Sequence, residues 1–346
     1  MRWLLIHPGP NFSVADMHNG WAEALRDLGE EVDEYNLDAR LQVFDSALMP
    51  AGEPDAEGRR PVRKAWTTEQ AIRLAAEGIL AAESKWWPHV ILCVSAFFTP
   101  PWVLEILRSH RHKIVMLFSE GPYQTDMQLK MAQFADLSLV NDPCDIEKYR
   151  AVGPAEYMPH SYREKVHYPA APGTDLAHDL AFVGTGFPSR IEFFEAMDLD
   201  GLDVALGGFW NLEDGSPLHK HLIDDAGDAC VDNTETADLY RRSRCGINFY
   251  RRESEETHAG EGWACGPREI EMAASGLFFV RDARGESDEL FPMLPSYTTP
   301  GQAGDLIRWY AAHDGEREKR AAAAREAIAD RTFTNAAKRL LRLLGN

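Results

Sequence analysis

The chain has 346 residues, a formal net charge of −19, 45% apolar residues and 26% charged residues. This length indicates about two domains, and this composition indicates a folded globular protein rather than a disordered one. The acidic balance argues against a general affinity for nucleic acid or anionic membranes, although it leaves room for a local basic groove.

The sequence lacks the usual signs of membrane insertion, secretion or metal binding. No apolar run reaches the about 18–20 residues that span a bilayer, and the apolar residues 3–6 are too few for a signal peptide. The five cysteines have no metal-ligand spacing, and their odd number favours reduced thiols in a cytoplasm. We therefore expect a cytoplasmic protein without a metal or other cofactor.

Strand and helix signals alternate through residues 1–165. The predicted strands cover residues 2–6, 31–35, 90–94, 114–118, 137–140 and 155–158. The predicted helices cover residues 18–28, 67–85, 103–109 and 124–134. This alternation predicts a parallel sheet with helices on both faces. The loop at residues 44–63, rich in Pro, Gly and charge, is predicted to be a mobile surface excursion.

The same alternation begins again after a predicted linker at residues 166–178. The predicted strands there cover residues 179–183, 202–206, 246–249 and 277–280. The predicted helices cover residues 190–197, 234–242 and 267–275, and residues 303–344 are nearly all helical. We therefore predict an α/β fold of two doubly wound, Rossmann-like domains, residues 1–165 and 179–330, with a ligand cleft between them.

The most informative motif covers residues 266–276, where Pro267 begins a helix that Gly276 ends. Glu269 and Glu271 lie in its first turns, beside free N–H groups and the positive end of the helix dipole. Such a helix start can bind phosphate while a carboxylate behind it accepts ribose hydroxyls, so the motif predicts a nucleotide diphosphate site. An ordinary helix start in an α/β protein has the same appearance.

A second candidate is the turn after the strand at residues 179–183. Gly184, Thr185 and Gly186 allow the backbone to approach a ligand closely, and Arg190 can neutralise a phosphate. A tight turn without any ligand explains this motif equally well.

A third candidate comes where the strand at residues 246–249 ends. Asn248, Tyr250 and Arg251 lie there, and the arginine is a candidate ligand of a diphosphate. A solvated charge is the alternative. The acidic loop that follows, residues 253–262, is predicted to fold as a lid over the ligand of this site, the donor of its diphosphate.

The first domain contributes the candidate general bases. Glu120 follows the strand at residues 114–118, where residues of a cleft lie, and we take it as the first candidate. His18, together with His7, flanks the first strand-to-helix turn and is a second group that could face an acceptor. Structural roles, a turn carboxylate and a packed histidine, are the alternatives.

Two dense basic runs, residues 59–64 and 108–113, could follow a polyanion. Solvated charge in a loop and at a helix end explains them as well. The terminal helix, residues 331–346, has apolar residues at helical spacing and is predicted to pack on a core.

Together these segments resemble the GT-B glycosyltransferases of the spore-maturation CgeB type. Arg268, Glu271 and Gly276 match the late motif of that family, in which Arg, two residues, Glu, a small-residue stretch and Gly follow one another. The turns at residues 120–122 and 141–143 are similar to its first-domain motifs. The likeness covers most of residues 90–345.

The resemblance implies that the second domain binds a nucleotide sugar, with a UDP-sugar as the expected donor. Glu271 would bind the ribose hydroxyls, while Arg190, Arg268 and the backbone of Gly184 to Gly186 would surround the diphosphate. No metal would be needed, because arginines and helix N-termini can neutralise the leaving diphosphate. The C-terminal helix at residues 331–346 would cross back onto the first domain.

One departure leaves the stereochemistry open. Retaining relatives often place a second Glu eight positions before the ribose Glu, and this chain has Trp263 there. Glu261 has that interval only to Glu269.

The expected function is therefore transfer of a sugar from a nucleotide-sugar donor to a hydroxyl acceptor, without a metal. The acceptor stays open among protein, glycan, small molecule and modified DNA. One alternative is a phage-type DNA glycosyltransferase that acts on hydroxymethylated bases. The others are a non-catalytic nucleotide-sugar-binding protein and a sugar-nucleotide epimerase of the same architecture.

Overall fold

The computed structural model describes residues 1–10, 12–223, 231–253 and 262–345. The chain divides into two units. The first comprises Met1–Asn141 with Asp145–Met158, and the second comprises Asp142–Cys144 with Pro159–Asn346. The linker predicted at residues 166–178 lies within the second unit.

The first unit is a parallel sheet with helices between its strands. Its strands are β1 (Arg2–Ile6), β2 (Glu31–Tyr35), β3 (Leu48–Pro50), β4 (Val62–Lys64), β5 (Val90–Val94), β6 (Lys113–Phe118), β7 (Leu137–Val140) and β8 (Ala155–Tyr157). Its helices are α1 (Phe12–Asp27), α2 (Leu37–Asp45), α3 (Thr68–Trp86), α4 (Pro101–Ser109), α5 (Thr125–Ala132) and α6 (Ile146–Arg150). The sheet order is β2-β1-β5-β6-β7-β8, and every residue of β5 is buried, as a strand covered on both faces requires.

Local sequence sets the limits of α3. A capping box begins this helix, in which the Thr67 hydroxyl accepts from the Gln70 amide and the Gln70 side chain accepts from the Thr67 amide. The helix ends at Trp87, which adopts a left-handed backbone conformation with φ 49°.

Several elements of the first unit differ from the prediction, among them α6, which was not predicted. Helix α1 begins six residues before the predicted start at 18, because Val14 and Met17 are buried and extend its apolar face. The predicted loop at residues 44–63 contains the short antiparallel pair β3 and β4, whose residues are all exposed. Helix α2 was not predicted, and it is held at its start by the Asn36 side chain, which accepts from the Ala39 amide at 2.9 Å.

The second unit repeats the plan with another parallel sheet. Its strands are β9 (His178–Val183), β10 (Val204–Gly207), β11 (Ser243–Asn248), β12 (Phe278–Asp282) and β13 (Ser296–Tyr297), in the order β10-β9-β11-β12-β13. Its helices are α7 (Pro188–Ala196), α8 (Asn233–Arg241), α9 (Pro267–Ala274), α10 (Gly285–Leu290), α11 (Pro300–Ala311), α12 (Asp314–Ala327) and α13 (Phe333–Leu343). Short 3-10 turns cover Pro143–Asp145 and Pro217–His221.

Helix α13 is joined to the beginning of the second unit through its N-terminal end. The Tyr162 amide donates to the Arg331 carbonyl at 3.0 Å, and the Phe333 amide donates to the Tyr162 carbonyl at 3.2 Å. One face of the helix, which includes Phe333 and Leu340, is buried, as its apolar spacing predicts. Its expected crossing to the first unit stays a prediction. None of the described helices combines the length and the apolar character that crossing a bilayer takes.

Candidate functional site

The predicted donor residues come together at the carboxyl ends of β9 and β11, next to the start of α9. Strand β9 ends at Val183 and leads into the turn of Gly184 to Gly186, which precedes α7. Strand β11 ends at Asn248, one of its hydrogen-bonding partners being the side chain of Arg268 on α9. In parallel sheets this edge is where ligands bind.

Arg268 is the central cation of this edge. Its Nε donates to the Val183 carbonyl at 2.8 Å, and its Nη1 donates to Asn248 Oδ1 at 3.0 Å. The guanidinium carbon lies 4.6 Å from the centroid of the Phe182 ring. Among the described residues no carboxylate lies within ion-pair distance of Arg268, so neutral groups alone hold this charge in place.

Arg190 lies beside it, on the first turn of α7. The side chain is buried, with Nη1 donating to the Thr185 carbonyl at 2.8 Å and Nη2 donating to the Phe249 carbonyl at 3.1 Å. Its guanidinium carbon lies 5.4 Å from the centroid of the Phe182 ring, the same ring that Arg268 covers. Thr185 thus enters the site through its backbone oxygen.

A third arginine, Arg251, completes the cluster. Its guanidinium carbon lies 4.8 Å from the centroid of the Phe187 ring, and that of Arg190 lies 5.2 Å from the same centroid. Three arginines therefore gather around two aromatic rings, which support cations by their electron-rich faces. The described part of the second unit thus concentrates positive charge at this edge, in a chain whose net charge is −19.

The glycines of the turn are required by close packing. A Cβ atom on Gly184 would lie 2.4 Å from Arg268 Nη2, and a Cβ atom on Gly186 would lie 2.6 Å from the Trp210 ring. Both distances are too short for a real contact. The two glycines therefore make room for the side chains of Arg268 and Trp210, whereas the sequence predicted that they make room for a ligand.

Glu269 faces the interior. Its side chain is fully buried and accepts from the Ser287 hydroxyl at 2.6 Å, from the Gly266 amide at 3.2 Å and from the Tyr250 hydroxyl. Burial raises the pKa of this carboxyl above its ordinary value. The structure therefore places Glu269 and Tyr250, both predicted donor ligands, in a network that stabilises the start of α9.

Glu271, two residues further, lies on a different face of α9. Its side chain is half-buried, and Oε1 accepts from Asn233 Nδ2 at 3.1 Å, at the start of α8. Both Glu271 and Arg268 interact with Tyr240, a buried tyrosine of α8 that is hydrogen-bonded to Arg268. Burial raises the pKa of the Tyr240 phenol. Asn233 was missed in the sequence, because the predicted helix began one residue later.

The acidic loop is described only at its ends. Glu253 accepts from the Ser189 amide at 2.8 Å and from the Ser189 hydroxyl at 3.2 Å, at the N-terminus of α7. The other residues assigned to the lid, 254–261, lie outside the described residues, Glu261 among them. At the far end the Trp263 amide donates to Asp142 Oδ2 at 2.8 Å. Asp142 belongs to the second unit and to the turn at residues 141–143, which resembles a motif of the CgeB-type family.

In the first unit, His18 forms a histidine–carboxylate pair. On α1, His18 is buried, and its Nε2 lies 2.8 Å from Glu34 Oε2 on β2. Arg26 Nη2 donates to the other oxygen of Glu34 at 2.5 Å. The bond with His18 holds the pKa of Glu34 at about 2, so this carboxylate stays ionised. Nδ1 of His18 is buried without a hydrogen-bond partner among the described residues.

His7 and Glu120 lie at the ends of β1 and β6. The His7 ring contacts the His18 ring edge to face, with centroids 5.0 Å apart. Burial, and then the nearby His18, lower the pKa of His7 to about 4, so it is neutral at pH 7. Glu120 lies two residues after the end of β6, is half-buried, and accepts from the Gln124 amide through its backbone oxygen at 3.0 Å.

The first basic run is exposed and balanced by acids. Arg59 Nε lies 3.2 Å from Asp55 Oδ2, and Lys64 Nζ lies 2.8 Å from Asp45 Oδ1. Exposed pairs of this kind contribute little to stability.

Comparisons with known proteins identify the fold. Residues 190–344 match the family described as "Glycosyl transferase-like". No curated protein matches the chain. Among solved structures, the chain resembles sucrose-phosphate synthase from Thermosynechococcus elongatus, with 17% identity, a TM-score of 0.68 and coverage of 99% of this chain and 98% of that one.

Two further similar structures are of proteins that are described with different activities. One is an alpha-glucosyltransferase in complex with UDP and a 13-mer DNA containing an HMU base, with 11% identity, a TM-score of 0.63 and coverage of 100% of both chains. The other is a putative UDP-N-acetylglucosamine 2-epimerase from Listeria monocytogenes, with 14% identity, a TM-score of 0.59 and coverage of 99% of this chain and 95% of that one. The chain has the α/β GT-B fold of glycosyltransferases, as the sequence analysis predicted.

Proposed function

We propose that the protein is a glycosyltransferase that moves a sugar from a UDP-sugar to a hydroxyl acceptor without a metal ion. The observation that carries the proposal is Arg268, a cation at the carboxyl end of β9 that only neutral groups hold among the described residues. Such a charge is available to a diphosphate, and Arg190 and Arg251 lie around the same two rings. The resemblance to CgeB-type enzymes supports the same assignment.

Different residues of the second unit are proposed to bind different parts of the nucleotide-sugar donor. Arg268 and Arg190 neutralise the diphosphate as it leaves, which is the charge that a metal ion supplies in other transferases. Glu271 accepts the ribose hydroxyls, because its carboxylate is half-buried and lies on the face of α9 opposite to the interior network of Glu269, beside the Asn233 amide. Glu269 supports the start of α9 from the interior. UDP is preferred because similar structures contain UDP or a UDP-sugar.

The general base is proposed in the first unit, with His18 ahead of Glu120. A carboxylate behind a histidine orients the ring and stabilises its protonated form, and Glu34 is in that position. The buried Nδ1 of His18 has no partner among the described residues, so this nitrogen can exchange a proton with a substrate in the proposed reaction. Glu120 stays the second candidate. No disulfide joins the cysteines that the structure describes, and reduced thiols are the state expected in the proposed cytoplasmic location.

A second candidate acceptor is DNA with hydroxymethylated bases. A similar alpha-glucosyltransferase is complexed with modified DNA, and the run at residues 59–64 is exposed. Arg59 and Lys64 already pair with acids, however, and the net charge is −19. Binding to modified duplex that falls steeply with salt supports this acceptor, and equal binding at all salt concentrations contradicts it.

The deciding experiment measures donor binding and turnover in the presence of EDTA. UDP-, GDP- and TDP-sugars are incubated with the protein while released nucleotide is followed, and UDP affinity is measured by calorimetry. We expect UDP binding that Arg268→Ala weakens and that Arg242→Ala, a change of an exposed arginine in the same unit, leaves unchanged. Absence of binding and release with every donor contradicts the proposal, and binding without turnover favours a nucleotide-sugar-binding protein.

A further inference from the structure

Three potential metal ligands meet in the first unit, away from the residues assigned to transfer. Glu83 lies near the end of α3, His110 follows the last residue of α4, and His112 directly precedes β6. They lie where β5 and β6 begin, at the edge of the sheet opposite to the one that Glu120 follows. In the sequence the two histidines stand out only as members of the basic run at residues 108–113.

The three donor atoms are close enough to share one ion. Glu83 Oε1 lies 3.1 Å from His110 Nδ1 and 2.5 Å from His112 Nε2, and all three atoms lie within 4.8 Å of one another. Ligands of a tetrahedral zinc ion, each about 2.0–2.1 Å from the metal, lie about 3.3 Å apart. Shifts of roughly 1 Å or less would therefore convert the cluster into a coordination site.

The orientation of His112 suits a metal ligand. Its Nδ1 lies 2.7 Å from the Pro88 carbonyl, an acceptor to which this nitrogen can donate. Nε2 then faces Glu83 Oε1 at 2.5 Å, a position in which a proton or a metal ion between the two atoms compensates the carboxylate. A ring whose second nitrogen donates to a backbone carbonyl is also the usual arrangement of a metal-binding histidine.

The surroundings favour a cation at this place. Glu83 is only 1% exposed, and a buried carboxylate is costly unless it is compensated. Two helix C-termini, those of α3 and α4, carry partial negative charge beside the cluster. The nearby basic residues, Arg108, Arg111 and Lys113, are exposed.

Trp87 covers the cluster from one side and leaves another side open to solvent. Its ring stacks on His110 with centroids 5.7 Å apart and meets the His112 ring edge to face at 5.2 Å. The side chain of His110 is 39% exposed, so an ion can enter, and a water molecule can take a fourth position.

We propose that Glu83, His110 and His112 bind a divalent transition-metal ion, with zinc as the best match to two imidazoles and one carboxylate. The ion would join the end of α3 to the segment between α4 and β6. This site is separate from the donor residues and does not depend on the proposed transfer reaction.

The test is titration of the metal-free protein with ZnCl2 alone. The protein is treated with EDTA, the chelator is removed, and binding is followed by calorimetry and by thermal unfolding. We expect one zinc ion per chain and a rise of the melting temperature. His110→Ala, at the exposed ligand, is expected to weaken binding by at least about tenfold, and Glu83→Gln by a similar factor.

His219→Ala, which removes an exposed histidine of the second unit, is the matched control and is expected to bind zinc like the unaltered protein. X-ray absorption of the zinc complex should show nitrogen and oxygen ligands, including imidazoles, and no sulfur at about 2.3 Å. The proposal is overturned if no stoichiometric binding occurs, if His110→Ala binds zinc unchanged, or if sulfur is present. Each of these outcomes leaves the result of the UDP experiment in EDTA unaffected.

Discussion

The two units use the same parallel-sheet plan but concentrate different chemistry near the carboxyl ends of their strands. The first unit brings together two histidines and a carboxylate, His7, His18 and Glu34, which are groups that move protons. The second brings together Arg190 and Arg268, which keep their charge at neutral pH and are the proposed ligands of the diphosphate. In the proposed reaction, the residues of the first unit supply the base and those of the second unit neutralise the leaving charge.

The sharpest way to break this comparison is to remove the base. We expect His18→Ala to lower kcat by about 10²- to 10⁴-fold, because proton transfer in the transition state contributes that much. Nucleotide affinity should not change, since the second unit is intact. Steady-state kinetics with the best donor measure both quantities. Glu120→Ala is the comparison variant, and an unchanged kcat in His18→Ala with a loss in Glu120→Ala would move the base to Glu120.

Removal of the central arginine should have the next largest effect. We expect Arg268→Ala to lower kcat by about 10²- to 10³-fold, the cost of losing a donor aimed at developing negative charge. Arg268→Lys should recover only part of this loss, because a lysine cannot donate to Val183 and Asn248 with the same planar geometry. Single-turnover rates measure the effect, and full activity in the lysine variant would contradict the assigned role.

Two glutamates of α9 allow a smaller but cleaner separation of binding from folding. Glu271→Ala should weaken UDP binding by about tenfold to a hundredfold, since a hydrogen bond to a charged group contributes about 1.5–3 kcal/mol. Glu269→Gln should lower the free energy of unfolding by about 1–3 kcal/mol, because it leaves buried donors without their carboxylate. Calorimetry and urea unfolding give the two values. Unaltered affinity in Glu271→Ala would mean that the ribose binds elsewhere.

The smallest expected effect concerns the pH dependence of stability. Burial lowers the pKa of His160 from 6.5 to about 4, so the unfolded chain binds a proton at a pH where the native protein does not. The contribution of neutral His160 to the free energy of unfolding is complete above pH 6.5. This contribution is lost as the pH falls, by about 2 kcal/mol between pH 6.5 and 5. His160→Asn should therefore flatten the decrease of the unfolding free energy over this window.

Burial lowers the pKa of His7 as well, so His7 adds to the pH dependence of stability in the same direction. The difference between the unaltered protein and His160→Asn, rather than either curve alone, therefore reports on His160. Urea unfolding at half-unit steps of pH measures it. Parallel curves for the two proteins would contradict the prediction.

Much of the fold was predictable because short apolar runs alternate with amphipathic ones. The strands at residues 2–6, 90–94 and 137–140 were predicted with the bounds that the structure has. Helices α2 and α10 were missed, because they are short and their positions depend on capping and on contacts distant in sequence.

The candidate site was predictable only in its residue types. A helix start with Arg268, Glu269 and Glu271 predicts an anion site, but the sequence cannot tell which carboxylate points inward. That depends on Tyr250 and Ser287, which contact Glu269 from other elements. The pair of His18 and Glu34 was not predictable either. The two residues are sixteen positions apart and lie on different elements, α1 and β2, which meet only because β2 pairs in parallel with β1.

The inward carboxylate at position 269 has a practical consequence for engineering. Within three positions, one acidic residue maintains the architecture of α9 while the other is the proposed ligand of the ribose. Libraries that alter sugar or nucleotide preference should therefore vary Glu271 and its neighbour Asn233 while Glu269 stays constant. Randomising position 269 would fill such a library with unstable members and conceal any gain in selectivity.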